Sequence, residues 1–294
     1  MKRYSSERLI NTILIASLSV VPLIFVPVGE FADFYYAPKV YAITALAAGF
    51  LLILLLKERG NLTTLIYPDR INITLLLYIG LLTLSLFFAR DFTTAFYGRP
   101  YRLEGFGTLL IYFLLFLAAR SSKWSGEQLF RTMLLSATIL SVYGILQYFG
   151  VDPFPRDFIR ANWQKAFSTF GNPNFLGSYL VMMLPVALHQ YINKRLSIGI
   201  FIYALLLFCL LCTRTMGAWM GGAIACVGYL LVSRLYGGRT RSELGRILLV
   251  VLVSAAIALS FNILSGNVLL ADITAVMADT SAVVTGSFAA ESAG

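Results

Sequence analysis

Long apolar segments alternate with short polar segments over most of the chain. An α-helix of about 20 apolar residues crosses the hydrocarbon layer of a bilayer, and nine runs approach that length. They lie at 9–28, 39–56, 72–89, 105–119, 129–150, 174–192, 196–213, 217–233 and 247–263. The pattern therefore predicts an all-α polytopic transmembrane bundle of about nine spans, which occupies residues 1–263.

The pattern changes at residue 264, where the sequence becomes small and mildly polar. We expect no further helix in residues 264–294 and interpret them as the start of an extracytoplasmic segment that is apparently truncated. Acidic residues in this tail, such as Asp272, would then lie in a segment too flexible to position them.

Composition agrees with a membrane protein. Of the 294 residues, 59% are hydrophobic and 13% are charged, and the mean hydropathy is +0.79. A soluble domain carries roughly a quarter charged residues, so much of this surface must face lipid rather than water. The net charge of +9 follows from the positive-inside rule, so we expect membrane lipids as partners and no nucleic acid.

The distribution of basic residues sets the orientation. Lys2, Arg3 and Arg8 precede the first span, which we interpret as a retained signal anchor because no small-residue cleavage site follows it. With the N-terminus in the cytoplasm, about 15 of the 23 Lys and Arg residues fall in cytoplasmic segments. We therefore predict a cytoplasmic N-terminus.

The three cysteines all lie in apolar runs. Cys209 and Cys212 have C-x-x-C spacing, but the residues around them are apolar, which favours small core side chains over metal or redox chemistry. We expect no metal and no cofactor.

Arginines on the outer face are the first candidates for chemistry, because the positive-inside rule disfavours them there. Arg99 and Arg102 lie in one outer loop, Arg160 lies in another, and Arg214 lies at the outer end of the seventh span. A guanidinium group binds phosphate through two parallel hydrogen bonds. These residues are consistent both with a functional anion site and with contacts to lipid headgroups.

Two short segments adjoin these arginines. Asn172 can cap the sixth span, with Pro173 in its first turn, and would leave free N–H groups and a positive helix end near Asn174. A plain helix cap is the alternative. Gly217 and Gly221, which follow Arg214, have the spacing of a close helix-packing pair.

A third segment, at residues 97–105, combines Arg99, Arg102 and Glu104 with two tyrosines. Cations, a carboxylate and aromatic rings are typical of a surface that handles sugars. They are equally typical of a membrane interface.

These three segments together resemble the O-antigen ligase and O-antigen polymerase superfamily of bacterial cell-envelope proteins. Residues 102–105 resemble its Arg-x-Glu-Gly element, residues 171–174 its Gly-Asn-Pro-Asn element, and residues 213–221 its Thr-x-Ser-Arg-Gly-Ala-Trp-x-Gly element. The resemblance extends from about residue 70 to 235, and the order and spacing of the elements are more specific than any one of them.

The resemblance implies a multi-pass glycosyltransferase of the bacterial cytoplasmic (inner) membrane. Such an enzyme transfers a glycan from an undecaprenyl-diphosphate carrier, on the outer face, to a hydroxyl of another glycan, of lipid A core or of a protein. The implied donor-binding residues are Arg99, Arg102, Arg160, Arg214, Asn172 and Asn174. We expect the four arginines to meet near Asn172, with Glu104 as a partner of one of them.

The sequence departs from this family at two places. Met216 stands where the family has arginine, and Arg214 lies two positions earlier, which on a helix is a different face. The single histidine, His189, lies at the cytoplasmic end of the sixth span, whereas the family base is a histidine in an outer loop. The catalytic residue is therefore unknown, and Glu104 is the first candidate. We expect residues 1–294 alone to transfer no glycan.

Two other classes of protein stay open. A transporter or flippase for a lipid-linked glycan would use the same arginines, although it usually also needs charges at the bilayer midplane and internal repeats. A non-catalytic membrane assembly factor is favoured if the chain ends naturally at Gly294.

The orientation gives a direct prediction for reporter fusions. Fusions should read cytoplasmic at Lys57, Arg120, Lys194 and Arg241. Fusions should read external near Asp91, Asp157 and Asp272. An external signal at Arg241 would contradict the nine-span arrangement, because several basic residues surround that position.

Overall fold

The computed structural model describes residues 2–26, 34–57, 69–99, 102–122, 126–152, 164–193, 197–236 and 241–285. All regular structure in these ranges is helical, which confirms the all-α class. The chain forms two compact units, Met1–Ser136 and Ala137–Gly294, and the division falls within one helix.

The α-helices of the described residues are α1 Lys2–Ile15, α2 Ala37–Lys57, α3 Arg70–Phe87, α4 Phe92–Tyr97, α5 Phe106–Ser121, α6 Gly126–Tyr148, α7 Pro173–Ile192, α8 Ile198–Cys212, α9 Met216–Tyr236, α10 Arg241–Leu264 and α11 Val268–Thr285. Each of the last eight predicted spans coincides with one of these helices. In lipid, a long apolar segment satisfies its backbone hydrogen bonds best as a helix.

Among the described residues, six helices are long and apolar enough to cross a membrane: α2, α3, α6, α7, α9 and α10. Two further apolar helices, α5 and α8, are shorter. The chain therefore has the architecture of a multi-pass membrane protein. The predicted number of nine spans and the predicted orientation stay predictions.

The first predicted span is not one continuous α-helix. α1 ends at Ile15, and the chain continues as a π-helix at Ala16–Val20 and a 3-10 helix at Val21–Leu23. Pro22 lacks the N–H group that a regular helix would use, so the helical hydrogen bonding changes as the chain approaches it. The hydroxyl of Ser136 donates to the carbonyl of Ser19 at 2.6 Å and ties this segment to α6 within the first unit.

The core of the first unit lies between α1, α2 and α5. Its buried side chains include Ile10, Leu14, Phe50, Leu54, Leu117 and Ala118. In contrast, only 6% of α3 is buried, although the helix is strongly apolar. Soluble proteins rarely expose so large an apolar surface, which supports lipid contact around α3.

The start of α3 is fixed by polar contacts. The Asp69 carboxylate accepts a hydrogen bond from the backbone N–H of Asn72 at 2.8 Å and caps the helix. Arg120 donates to Asp69 at 2.7 Å and to the side chain of Asn72 at 2.9 Å. These hydrogen bonds hold the pKa of Asp69 below its usual value. The bond from the Arg120 guanidinium has the larger effect, and the bond from the Asn72 N–H has the smaller one.

The second unit is built around α7, of which 61% is buried. It packs against α8, α9 and α10. A Cβ atom on Gly177 of α7 would lie 2.8 Å from the Ala218 methyl of α9, so only glycine permits this approach. Ala218 and Gly222 of α9, which are both buried, are thus the small residues of this crossing.

The packing pair predicted at Gly217 and Gly221 is therefore wrong by one position. Gly217 is exposed and would gain no contact from a Cβ, and a Cβ added to Gly221 would make only ordinary contact with Val181. The small-residue spacing is the same for the pairs 217/221 and 218/222, so spacing alone could not distinguish the two faces.

The expectation that no helix follows residue 264 is also wrong, because α11 spans Val268–Thr285. Gly266 and Asn267, both with φ of +67°, reverse the chain after α10. Asn262 fixes this reversal, because its side chain donates to Asn267 at 2.9 Å and accepts from the backbone N–H of Leu270 at 3.2 Å. These contacts depend on the turn geometry, which hydropathy does not report.

Replacing Gly177 by alanine should destabilise the protein by about 1–3 kcal/mol, because the new methyl collides with Ala218. Thermal unfolding in detergent would measure the change. The matched control is Gly217→Ala, which adds the same methyl to an open helical surface and should be neutral or slightly stabilising. Equal loss of stability in the two variants would contradict the packing described here.

Candidate functional site

The turn between α8 and α9 carries the arginine that the sequence singled out. Arg214 has a φ of +50°, which is uncommon for a residue with a side chain. Thr213 before it is fully buried, and its hydroxyl donates to the carbonyl of Leu210 at 2.7 Å. The indole N–H of Trp219 donates to the same carbonyl at 2.9 Å and draws the start of α9 toward the end of α8.

Arg214 therefore lies in a tight turn and not on a helix. Met216 is the first residue of α9. The helical-face argument against Arg214 as a replacement for the arginine missing at Met216 does not apply, because the turn, and not helical periodicity, sets its position.

Arg214 forms an ion pair with Asp272 of α11. Its Nη2 and Nε atoms donate to the two carboxylate oxygens at 2.9 and 3.1 Å. The two side chains are 26% and 24% exposed, so water reaches both. The hydrogen bonds to Asp272 raise the pKa of Arg214, which stays a cation throughout the physiological range. A guanidinium has five N–H donors, so about three remain for another ligand.

This pair corrects one expectation, because Asp272 is not in a flexible tail but on a helix, where it has a defined partner. The expected pairing of Glu104 with one of the arginines stays a prediction, since Arg160 lies outside the described residues. A contact between residues 58 positions apart leaves no local signal in the sequence.

The N-terminus of α7 lies at the same end of the second unit as this turn. Its predicted cap is confirmed: the Asn172 side chain accepts from the backbone N–H of Asn174 at 2.8 Å, and Pro173 is the first helical residue. The Asn172 carbonyl accepts from the N–H groups of Phe175 and Leu176 at 3.2 and 3.1 Å.

The expected free N–H groups are therefore not free. The first-turn donors are engaged by Asn172, and Pro173 has none to offer. What this helix end can offer an anion is its dipole and the side-chain amides of Asn172, which is half-buried, and Asn174, which is exposed.

Two of the three segments that carry the family resemblance meet here. The Cβ position of Gly177 lies 3.7 Å from the Thr213 hydroxyl and 3.8 Å from Thr215, in addition to its approach to Ala218. The backbone N–H of Ala166 donates to the carbonyl of Cys212 at 2.8 Å. The start of α7 and the turn at residues 213–215, about 40 residues apart in the chain, thus lie together at one end of the contact between α7 and α9.

A buried loop leads into α7 and was missed at the sequence level. Residues 166–169 are almost completely buried, although they are not α-helical. The backbone N–H of Ser168 donates to the Gln147 side chain at 2.6 Å, and the Ser168 hydroxyl donates to the carbonyl of Leu140 at 2.9 Å. Gln147 in turn donates to Asp152 at 3.2 Å. A glutamine inside an apolar span was the one available signal.

In the first unit, residues 96–99 and 102–105, on either side of two positions outside the described residues, lie close together. A Cβ on Gly105 would collide with the carbonyl of Phe96, so the two backbone segments are in direct contact at this point. The backbone N–H groups of Arg102 and Leu103 both donate to the carbonyl of Arg99 at 3.1 Å. The backbones at Arg99 and Arg102 are therefore held close together.

Glu104 lies at a cleft of about 310 Å³ in the first unit. Its side chain is exposed, and the cleft is lined in part by Leu82, Leu86, Phe88, Phe106 and Leu109, with Ser85 and Ala89. Nearby, Asp91 caps α4 and accepts hydrogen bonds from Thr94 and from the N–H of Thr93. The bond from Thr94 is the main reason that the pKa of Asp91 is lowered.

The predicted meeting of the four arginines stays a prediction. Arg99 and Arg102 belong to the first unit, whereas Arg214, Asn172 and Asn174 belong to the second. Arg160 lies outside the described residues. What the structure brings together is Arg214 with the Asn172 end of α7.

The remaining candidates have structural roles. His189 lies on α7 about 25 Å along the axis from Asn172, where its Nδ1 is 3.3 Å from both the Tyr229 hydroxyl and the Asn193 amide. Cys209 and Cys212 are fully buried free thiols, which confirms them as small core residues.

Comparisons with known proteins add no relative. No protein family, no curated protein and no solved structure matches the chain. The resemblance to the O-antigen ligase and polymerase superfamily therefore stays a hypothesis that rests on the residues named above.

Replacing Asn172 by alanine should cost about 1 kcal/mol, because the N–H of Asn174 loses its acceptor. Asn172→Asp keeps an acceptor at the same position and should preserve stability. Thermal unfolding of the two variants side by side would check this. Equal stability of the alanine variant and the native protein would show that the cap contributes nothing.

Proposed function

We propose that this chain holds an undecaprenyl-diphosphate-linked glycan at the outer face of a bacterial cytoplasmic membrane. The glycan is transferred from this carrier to a hydroxyl of another glycan, of lipid A core or of a protein. In this proposal the N-terminus is cytoplasmic, about nine segments span the membrane, and the Arg214 end of the second unit faces outward.

The observation that carries the proposal is the contact between two separate sequence elements. The capped start of α7 and the Thr213–Thr215 turn are 40 residues apart, and Gly177 packs against both Thr213 and Ala218. The backbone of Arg214 therefore lies in a turn beside the start of α7, whose dipole is positive, and its guanidinium is partly exposed. Two positive features that share one end of a bundle are suited to a polyanionic headgroup.

The chemistry required of this site is electrostatic. A diphosphate is already a good leaving group, so the protein has to bind it and stabilise the charge that develops on it. Arg214 retains about three N–H donors beside its ion pair, and Asn172 and Asn174 add amide groups. In the first unit, Arg99 and Arg102 would add charge, and Glu104 at its cleft is the candidate to activate the acceptor hydroxyl.

Binding of farnesyl diphosphate tests the donor site. The protein would be placed in phosphatidylcholine nanodiscs and titrated by calorimetry. Arg214→Ala should weaken binding about ten- to a hundredfold, because charge-assisted hydrogen bonds to phosphate are lost. Arg214→Lys should lie in between, since it keeps the charge but not the two parallel bonds. Binding to the native protein should weaken as salt increases.

Arg234→Ala is the matched control. Arg234 is exposed in the last turn of the same helix that Arg214 precedes, at its opposite end, so its loss removes the same charge from the other side of the bundle. Its affinity should equal that of the native protein. Equal effects of the Arg214 and Arg234 variants, with both variants folded by thermal unfolding, would refute the donor site.

A further inference from the structure

Arg214 already has an anionic partner. The Asp272 carboxylate occupies one edge of its guanidinium with two hydrogen bonds, at 2.9 and 3.1 Å. This is the geometry that an incoming phosphate group would adopt. A phosphate that uses this edge must first displace the carboxylate.

The helix that carries Asp272 follows directly after a turn. Gly266 and Asn267, both in the left-handed region, form a tight reversal between α10 and α11. Beyond this reversal much of the described surface of α11 is exposed, including Leu270 and Ile273. In residues 268–275, whose side chains the structure describes, none is buried, so apolar packing within the second unit contributes little to holding this part of α11 in place.

The ion pair links this helix to the turn after α8. Both side chains are about one-quarter exposed. A partly exposed ion pair of this kind contributes only modestly to stability, because solvent screens the attraction. A contact of that strength is within the range that a bound anion can overcome.

We propose that Asp272 and α11 form a clasp over Arg214, in which the carboxylate occupies the place of the donor diphosphate and is displaced when that diphosphate binds. This inference rests on the proposed donor site and adds its regulation. Anion binding to Arg214 and docking of α11 are then coupled. Asp272 weakens anion binding by some free energy, and a bound anion weakens the docking of α11 by the same amount.

The direction in which anion affinity changes when the Asp272 carboxylate is removed distinguishes a clasp from a structural contact. In phosphatidylcholine nanodiscs, Asp272→Asn should bind inorganic pyrophosphate about two- to fivefold more tightly than the native protein, because the competitor is gone. A purely supporting residue would give the opposite result, since its loss would leave Arg214 poorly oriented. Asp272→Glu retains the competing charge and should not tighten binding.

The matched control is Asp91→Asn. It removes the same charge from the first unit, and asparagine still caps α4. Its pyrophosphate affinity should be unchanged. A similar increase in both variants would indicate a general charge effect and would overturn the clasp.

Hydrogen exchange of the α11 amides gives the second readout. Pyrophosphate should accelerate exchange in the native protein, whereas Asp272→Asn should exchange fast with or without it. Protection of α11 by pyrophosphate, or weaker binding by Asp272→Asn, would overturn the proposal.

A parallel titration with farnesyl diphosphate separates the two hypotheses. If pyrophosphate opens the clasp but the prenyl diphosphate does not bind, the donor function fails and the clasp stands. If the prenyl diphosphate binds through Arg214 but Asp272→Asn does not tighten binding of either anion, the clasp fails and the donor function stands.

Discussion

The close approach of α7 and α9 at Gly177 is the constraint on which the second unit depends. In a bilayer the lipid tails are as apolar as the side chains, so helices associate mainly through packing and internal hydrogen bonds. Gly177, Ala218 and Gly222 supply a surface without bulk, and α9 lies directly on α7. This contact also fixes the Thr213–Thr215 turn beside the start of α7, so the position of Arg214 follows from the packing.

Hydrogen-bond satisfaction explains the buried segment before α7. Irregular backbone at membrane depth is tolerated only where protein groups replace water. Gln147 supplies an acceptor for Ser168, Leu140 supplies a carbonyl, and Cys212 accepts from Ala166. The polar side chain of Gln147, near the end of the apolar helix α6, is therefore a requirement of the neighbouring loop.

Much of the helical framework could be predicted from the sequence, because spans in lipid are set by apolar length alone. The same reasoning failed where a local pattern had two solutions. The spacing of Gly217 and Gly221 matches that of Ala218 and Gly222, and only the structure shows which face is covered. Apolar length also gave no sign that the helix type changes before Pro22 within the first apolar run.

The candidate site was predicted less completely, because its geometry comes from contacts between distant residues. Arg214 and Asn172 were identified from their types and positions. The ion pair with Asp272 was not, since no periodicity links a turn to a helix 58 residues later. The engaged N–H groups of α7 were also missed, because a cap residue satisfies them with both its side chain and its carbonyl.

The low burial of α3 has a consequence for how the first unit responds to its membrane. With 18 residues the helix is about 27 Å long, close to the hydrocarbon thickness of a typical bilayer. Few side chains brace it along its length, and Asp69 and Asn72 tether it to Arg120 at one end. Hydrophobic mismatch in a thicker or thinner bilayer would therefore be absorbed by tilting of α3 about that tether, while the packed helices α2 and α5 keep their angle.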